Sequence, residues 1–176
     1  AGAATISAQV TVRDQYNNLV PSVPVSLTAT TQLNGTTTDN SNSSGVALFN
    51  GLSITTTGTY QLAARAGPVG PLNSGNFDIT PASANNLAFS TQPANAVAGD
   101  ATISAQVTVR DAYNNLVPSV AVSLTTTTQL NGTVTANSNA GGVASFSGLS
   151  ITTTVTYQLS ARAGPVGPTN SNNFDI

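Results

Sequence analysis

The chain has 176 residues, room for one or two domains, and only 6% of them are charged, against about 25% in an average soluble protein. Four Arg, no Lys and a net charge of −2 exclude a basic surface for nucleic acid or anionic lipid. The absence of Cys removes disulfides, thiol nucleophiles and zinc–thiolate sites together.

The 39% hydrophobic share is not that of a disordered tail, so Thr, Ser and Asn must keep the surface wet. No apolar run approaches the roughly 20 residues that span a bilayer. The chain opens Ala-Gly, with no Met and no secretory leader, which reads as a processed chain or an excised window.

In chain order, the first element is the alternating run Thr5–Arg13. Ile6, Ala8, Val10 and Val12 share one face and Ser7, Gln9 and Thr11 the other, the period of a half-buried strand. Asn17-Asn18 predicts a turn, Asn being the non-Gly residue that best tolerates left-handed backbone. Val23, Val25 and Leu27 predict a second, edge-tolerant strand, since Pro24 has no N–H for a ladder. Asn34-Gly35 predicts a turn into a short strand near Thr36–Asp39. Gly45–Ile54 reads as a strand with a Gly break, and Thr59–Ala66 as one strand with Tyr60, Leu62 and Ala64 inward. Gly67–Pro71 reads as a turn-rich break, and Gly75–Ile79 as the last strand. The aromatics expected inside are Tyr16, Phe49, Tyr60 and Phe77. Six or seven short strands with closely spaced turns, and no helical period, describe an all-β sandwich.

The segment Thr5–Pro21 returns at Thr102–Pro118 with one change, Gln15 to Ala112. Adding 97 to each number carries residues 1–79 onto 98–176 without a gap, with 14 mismatches in 79 positions. That period is too long for a solenoid repeat of roughly 20–50 residues and fits a whole sandwich domain. Two domains are expected, 1–80 and 81–176. Residues 80–97 occur once, and within them Leu87, Ala88, Phe89 and Ser90 predict an initial strand for the second domain. The first domain lacks that strand within this chain.

The run TISAQVTVRDxYNNLV, followed by NGT, then GVALFNGLSITTTGTYQLAA and NFDITPASANNLAFSTQP, resembles bacterial immunoglobulin-like repeats over nearly the whole chain. The resemblance implies two tandem immunoglobulin-like sandwiches in an extracellular or cell-surface setting, as stalk, spacer, adhesin or filament building block. It departs from the pattern at Asn17, where relatives usually carry Gly, and in the Gly/Pro-rich Arg65–Pro71.

Candidate sites are few. Asp14 and Asp111 follow an Arg at a strand end. With Asn17, Asn18 and a carbonyl, Asp14 would offer oxygen ligands for calcium, but a single carboxylate fits an Asx turn better. Asp78 and Asp175 are expected to pair with Arg65 and Arg162, or with Arg13 and Arg110. Asn34, Asn42 and Asn131 begin N-glycosylation sequons, and Asn-Gly is also ordinary turn chemistry. Lys–Asn isopeptide crosslinks are excluded for want of Lys. The Thr tracts lie in different strands, which argues against a flat ice-binding array. With no Glu, His, Lys or Cys, a nucleophile has no activating base, so no catalytic residue and no cofactor is assigned.

Three functions fit these observations. The chain is a structural segment of a head-to-tail fibre or stalk, in which Leu87–Ser90 or its like fills an open sheet edge and the partners are copies of itself or neighbouring repeats. Alternatively it is an adhesin or carbohydrate-binding module using Tyr16 and Tyr113 on a surface glycan or matrix ligand. The third is a spacer of a large secreted enzyme.

Overall fold

A computed structural model describes all residues, Ala1–Ile176. All regular structure is strand. The chain divides into two compact units, Ala1–Thr80 and Pro81–Ile176, each described by itself.

In the first unit β1 (Ile6–Thr11) pairs antiparallel with β4 (Val46–Leu52) in a two-stranded sheet. The opposing sheet runs β3 (Thr38–Asn40), β2 (Pro24–Thr28), β6 (Ala63–Ala66), β7 (Val69–Asn73). A small third ladder joins β5 (Gly58–Tyr60) to β8 (Phe77–Ile79). Inward residues of β2, β4 and β6, with Leu62 just ahead of β6, meet in a core of Val25, Leu27, Ala47, Phe49, Leu52, Leu62 and Ala64. The period-two alternation makes this core: Val25 and Leu27 are buried while Pro24 and Thr28 beside them face out.

Gly51 continues β4 rather than breaking it. Register slips between Ile6 and Ala8, and Gly51, at φ 69°, takes the left-handed position of the resulting bulge.

The second unit repeats this plan with one strand more. β9 (Ala84–Thr91) adds to β10 (Ile103–Asp111), which pairs on its other side with β13 (Val143–Leu149). The opposing sheet is β12 (Thr135–Asn137), β11 (Ala121–Thr125), β15 (Ser160–Ala163), β16 (Val166–Asn170). β14 (Thr156–Tyr157) joins β17 (Phe174–Asp175). The core is correspondingly larger, with Leu87, Ile103, Ala105, Val107 and Val109 all buried.

Several expectations are corrected. Pro24 does not mark an edge: β2 lies between β3 and β6, and the proline is tolerated as the first strand residue, where its missing N–H costs no inner ladder bond. Thr59–Ala66 is two strands in different sheets. The crossover between them is pinned at Leu62, whose N–H donates to Ser74 Oγ and whose carbonyl accepts the Ser74 N–H. The Gly67–Pro71 stretch is not merely a break, since Val69–Asn73 forms β7 and pairs with β6. Tyr16 is not inside: it stands 76% exposed on the Asp14 turn.

Candidate functional site

The turn after β1 is organised by Asp14. Its Oδ1 accepts the N–H groups of Tyr16 at 2.9 Å and Asn18 at 2.8 Å, and its Oδ2 accepts the Asn18 side-chain amide at 3.0 Å. Asn17 takes the left-handed position with φ 70°. Arg13 donates to the Asn17 carbonyl at 2.9 Å. The Asn18 side-chain bond and then the backbone bonds hold the Asp14 carboxyl below its ordinary range.

Asp111 repeats the turn with Tyr113 and Asn115 and gains one partner. The N–H of Ala82 donates to its Oδ2 at 3.0 Å, tying the start of the second unit to the end of β10. Burial pushes the Asp111 carboxyl up, but the bonds from the Asn115 side chain, from Ala82 and from the turn outweigh it, and the net shift is downward. No group of three His, Cys, Asp or Glu gathers anywhere in the chain.

Asp78 and Asp175 do not take an arginine. Each carboxylate accepts a threonine hydroxyl from the strand opposite, Thr59 and Thr156, because the β5–β8 and β14–β17 ladders place those residues face to face. The sequon residues sit in tight turns. Asn34 and Asn131 exchange backbone bonds with Ser53 and Ser150, and Asn42 Oδ1 accepts the N–H groups of Ser44 and Val46.

The largest difference between the units lies along the outer edge of β1 and β10. In the second unit β9 occupies it. Val107 stands opposite Phe89, Thr108 opposite Ala88, Val109 opposite Leu87 and Arg110 opposite Asn86. The expected strand Leu87–Ser90 is part of this longer one, because Asn85 and Asn86 stay extended to reach Arg110 and Ala84 reaches Asp111. Leu87 enters the core at 3% exposure, with Ala84, Phe89 and Ala96 packed against it. Polar anchors secure the flanks. The Leu87 carbonyl accepts the Thr169 hydroxyl, Gln92 accepts the Asn172 N–H, and Asn95 accepts the Asp175 N–H.

In the first unit β1 pairs on one side only, and the same side chains are uncovered. Ile6, Ala8, Val10 and Val12 are half-buried where Ile103, Ala105, Val107 and Val109 are fully buried. A groove of about 440 Å³ lies between β1 and β7, lined by Val10, Val12, Val20, Ala66, Val69 and Leu72. A second, of about 260 Å³, continues past Ala8, Leu27 and Leu62. The signal for the groove was partly in the sequence, since one of the 14 mismatches sets Leu72 against Thr169. Leu72 is 69% exposed.

No protein-family model matches the chain, and no curated protein matches it. Among solved structures it is similar to FdeC, an Escherichia coli adhesin, at TM-score 0.53 and 18% identity, over 97% of this chain and 57% of that one. It is also similar to invasin, a bacterial integrin-binding protein, at TM-score 0.49 and 16% identity, over 99% of this chain and 37% of that one. The D0-D1 domain of intimin gives TM-score 0.42 and 23% identity, over 97% of this chain and 88% of that one. The two units have the immunoglobulin-like sandwich fold of bacterial surface-adhesin repeats.

Proposed function

We propose that the chain is a structural segment of an extracellular array of immunoglobulin-like beads on a bacterial surface, each bead completed by a strand from the linker ahead of it. The observation that carries this reading is β9: residues between the two repeats form the third strand of the second unit's sheet, while the same edge of the first unit is open. The absence of a basic patch or carboxylate cluster, and the fold shared with an Escherichia coli adhesin, support a surface role without catalysis. Electron microscopy of the native surface material tests it. Beaded filaments or rods with an axial repeat of one or two units are expected, and dispersed chains with no ordered array would overturn it.

One observation favours a second reading, adhesion to glycans. Tyr16 and Tyr113 stand exposed at equivalent turns, held by the Asp14 and Asp111 frames, where an aromatic ring is available to stack on a sugar. A glycan-array signal lost on Tyr16→Ala together with Tyr113→Ala would support it. A signal that survives both changes would remove it.

A further inference from the structure

The open edge of the first unit is a strand-binding site, and the second unit shows what fits it. We infer that the groove along β1 takes, from outside these 176 residues, an extended peptide with the chemistry of Thr80–Val97. The inference rests on the proposed bead architecture and names the partner and its register.

Three observations set the occupant. The lining is nearly the same in both units: Ile6, Ala8, Val10, Val12 and Val20 have identical counterparts at Ile103, Ala105, Val107, Val109 and Val117. In the second unit, where β9 pairs along Gln106–Asp111, those counterparts are all buried. All but one of the polar anchors are also kept: Asp14 stands where Asp111 receives Ala82, and backbone N–H groups of Gly75 and Asp78 stand where those of Asn172 and Asp175 meet Gln92 and Asn95. By the same mapping, the bound peptide runs antiparallel to β1. Its Leu87 lies opposite Val12, its Ala88 opposite Thr11 and its Phe89 opposite Val10.

A second copy of these 176 residues is not the occupant, by counting. They hold two such edges and one β9, so lending β9 to a neighbour opens one edge for every edge it closes. Only a strand from elsewhere closes both. The edge also discriminates. Leu87 must enter an apolar pocket, which a charge cannot do, and the amides at Gln92 and Asn95 fix the far end. Leu72, in place of Thr169, exchanges a hydroxyl donor for added apolar surface at the β7 wall.

The test is a titration of the full chain, Ala1–Ile176, into a dye-labelled synthetic peptide of the Thr80–Val97 sequence, read by fluorescence anisotropy. Saturable binding of one peptide per chain is expected, with at least a tenfold loss when the peptide carries Leu87→Asp. Leu72→Asp in the chain should cost a similar factor without affecting folding, because that side chain is already exposed. Leu48→Ser, on β4 and away from the groove, should bind as the parent does. Hydrogen exchange should show new protection at Ile6–Thr11 when peptide is present. No binding, binding indifferent to Leu87→Asp, or binding indifferent to Leu72→Asp (which would place the peptide on the second unit) each overturns the inference. So does self-association of the chain that Leu72→Asp abolishes. Peptide binding without an ordered array on the cell surface would leave the site standing and remove the array. An array with no peptide binding would do the reverse.

Discussion

The carboxylate of Asp111 accepts the backbone N–H of Ala82 at 3.0 Å, across 29 residues of chain. Asp14 makes every other bond of the same turn and lacks this one. Asp111 is buried at 3% exposure and Asp14 is exposed. Asp111→Asn should therefore destabilise the second unit by about 1.5–3 kcal/mol, the range for hydrogen bonds to a charged group. Asp14→Asn should disturb the first unit less. Hydrogen exchange under urea, followed separately in β10 and β1, reads the two effects.

Acid should act on the same residue. The folded Asp111 carboxyl lies below its ordinary value of 3.8, with burial opposing the shift and the Asn115, Ala82 and Tyr113 bonds producing it. A carboxyl whose folded value is depressed contributes stability that is fully present above the unfolded value and is lost as pH falls through the folded one. Protection of β10 amides is expected to hold at pH 5 and to decline below about pH 4. In Asp111→Asn that decline should be shallower.

Leu87 tests how far β9 is structural. Leu87→Ala removes a side chain buried among core residues and should cost the second unit about 2–5 kcal/mol. Protection in the first unit should be unchanged. Equal loss in both units would contradict the assignment of β9 to the second unit's core.

Gly35 and Gly51 should differ in how much a substitution costs. Gly35 has φ 104°, and a Cβ there would lie 2.9 Å from the Gly51 carbonyl oxygen, so Gly35→Ala is expected to cost about 1–3 kcal/mol. Gly51 has φ 69° and open space around a Cβ, so Gly51→Asn should cost much less, Asn being tolerant of that backbone. Thermal denaturation of the two variants compares them directly.

The outer edge of β1 should also exchange faster than that of β10. Thr108, opposite Ala88, sits inside a three-stranded ladder, while Thr11 lies on an open edge. Equal protection of the two strands in the isolated chain would mean that something already covers the first unit.

Alternation and repetition were legible because both are properties of residue order. Ile6, Ala8, Val10 and Val12 declare one face, and the phase of the 97-residue repeat declares that Leu87–Ser90 belongs to the following domain. What failed depended on partners distant in sequence. Tyr16 reads as core in a list of aromatics, yet the Asp14 turn carries it outward. Pro71 reads as punctuation, yet it lies within β7 where the register to β6 slips between Ala64 and Ala66, a bulge that tolerates a residue with no N–H. Asp78 reads as half of an ion pair, but the ladder sets Thr59 opposite it. The groove itself needs both units in view, because only a covered edge shows what an uncovered one is missing.

The strand that closes the second sandwich precedes, in the chain, the sheet it closes. A polypeptide that emerges N-terminus first therefore delivers Ala84–Thr91 before Ile103–Asp111, and the repeat never waits for a later neighbour to finish its edge. An array built this way has a direction with respect to cleavage. A protease cut between Thr91 and Ile103 severs the second repeat from its closing strand, while a cut before Ala84, just behind the first repeat, leaves that strand attached.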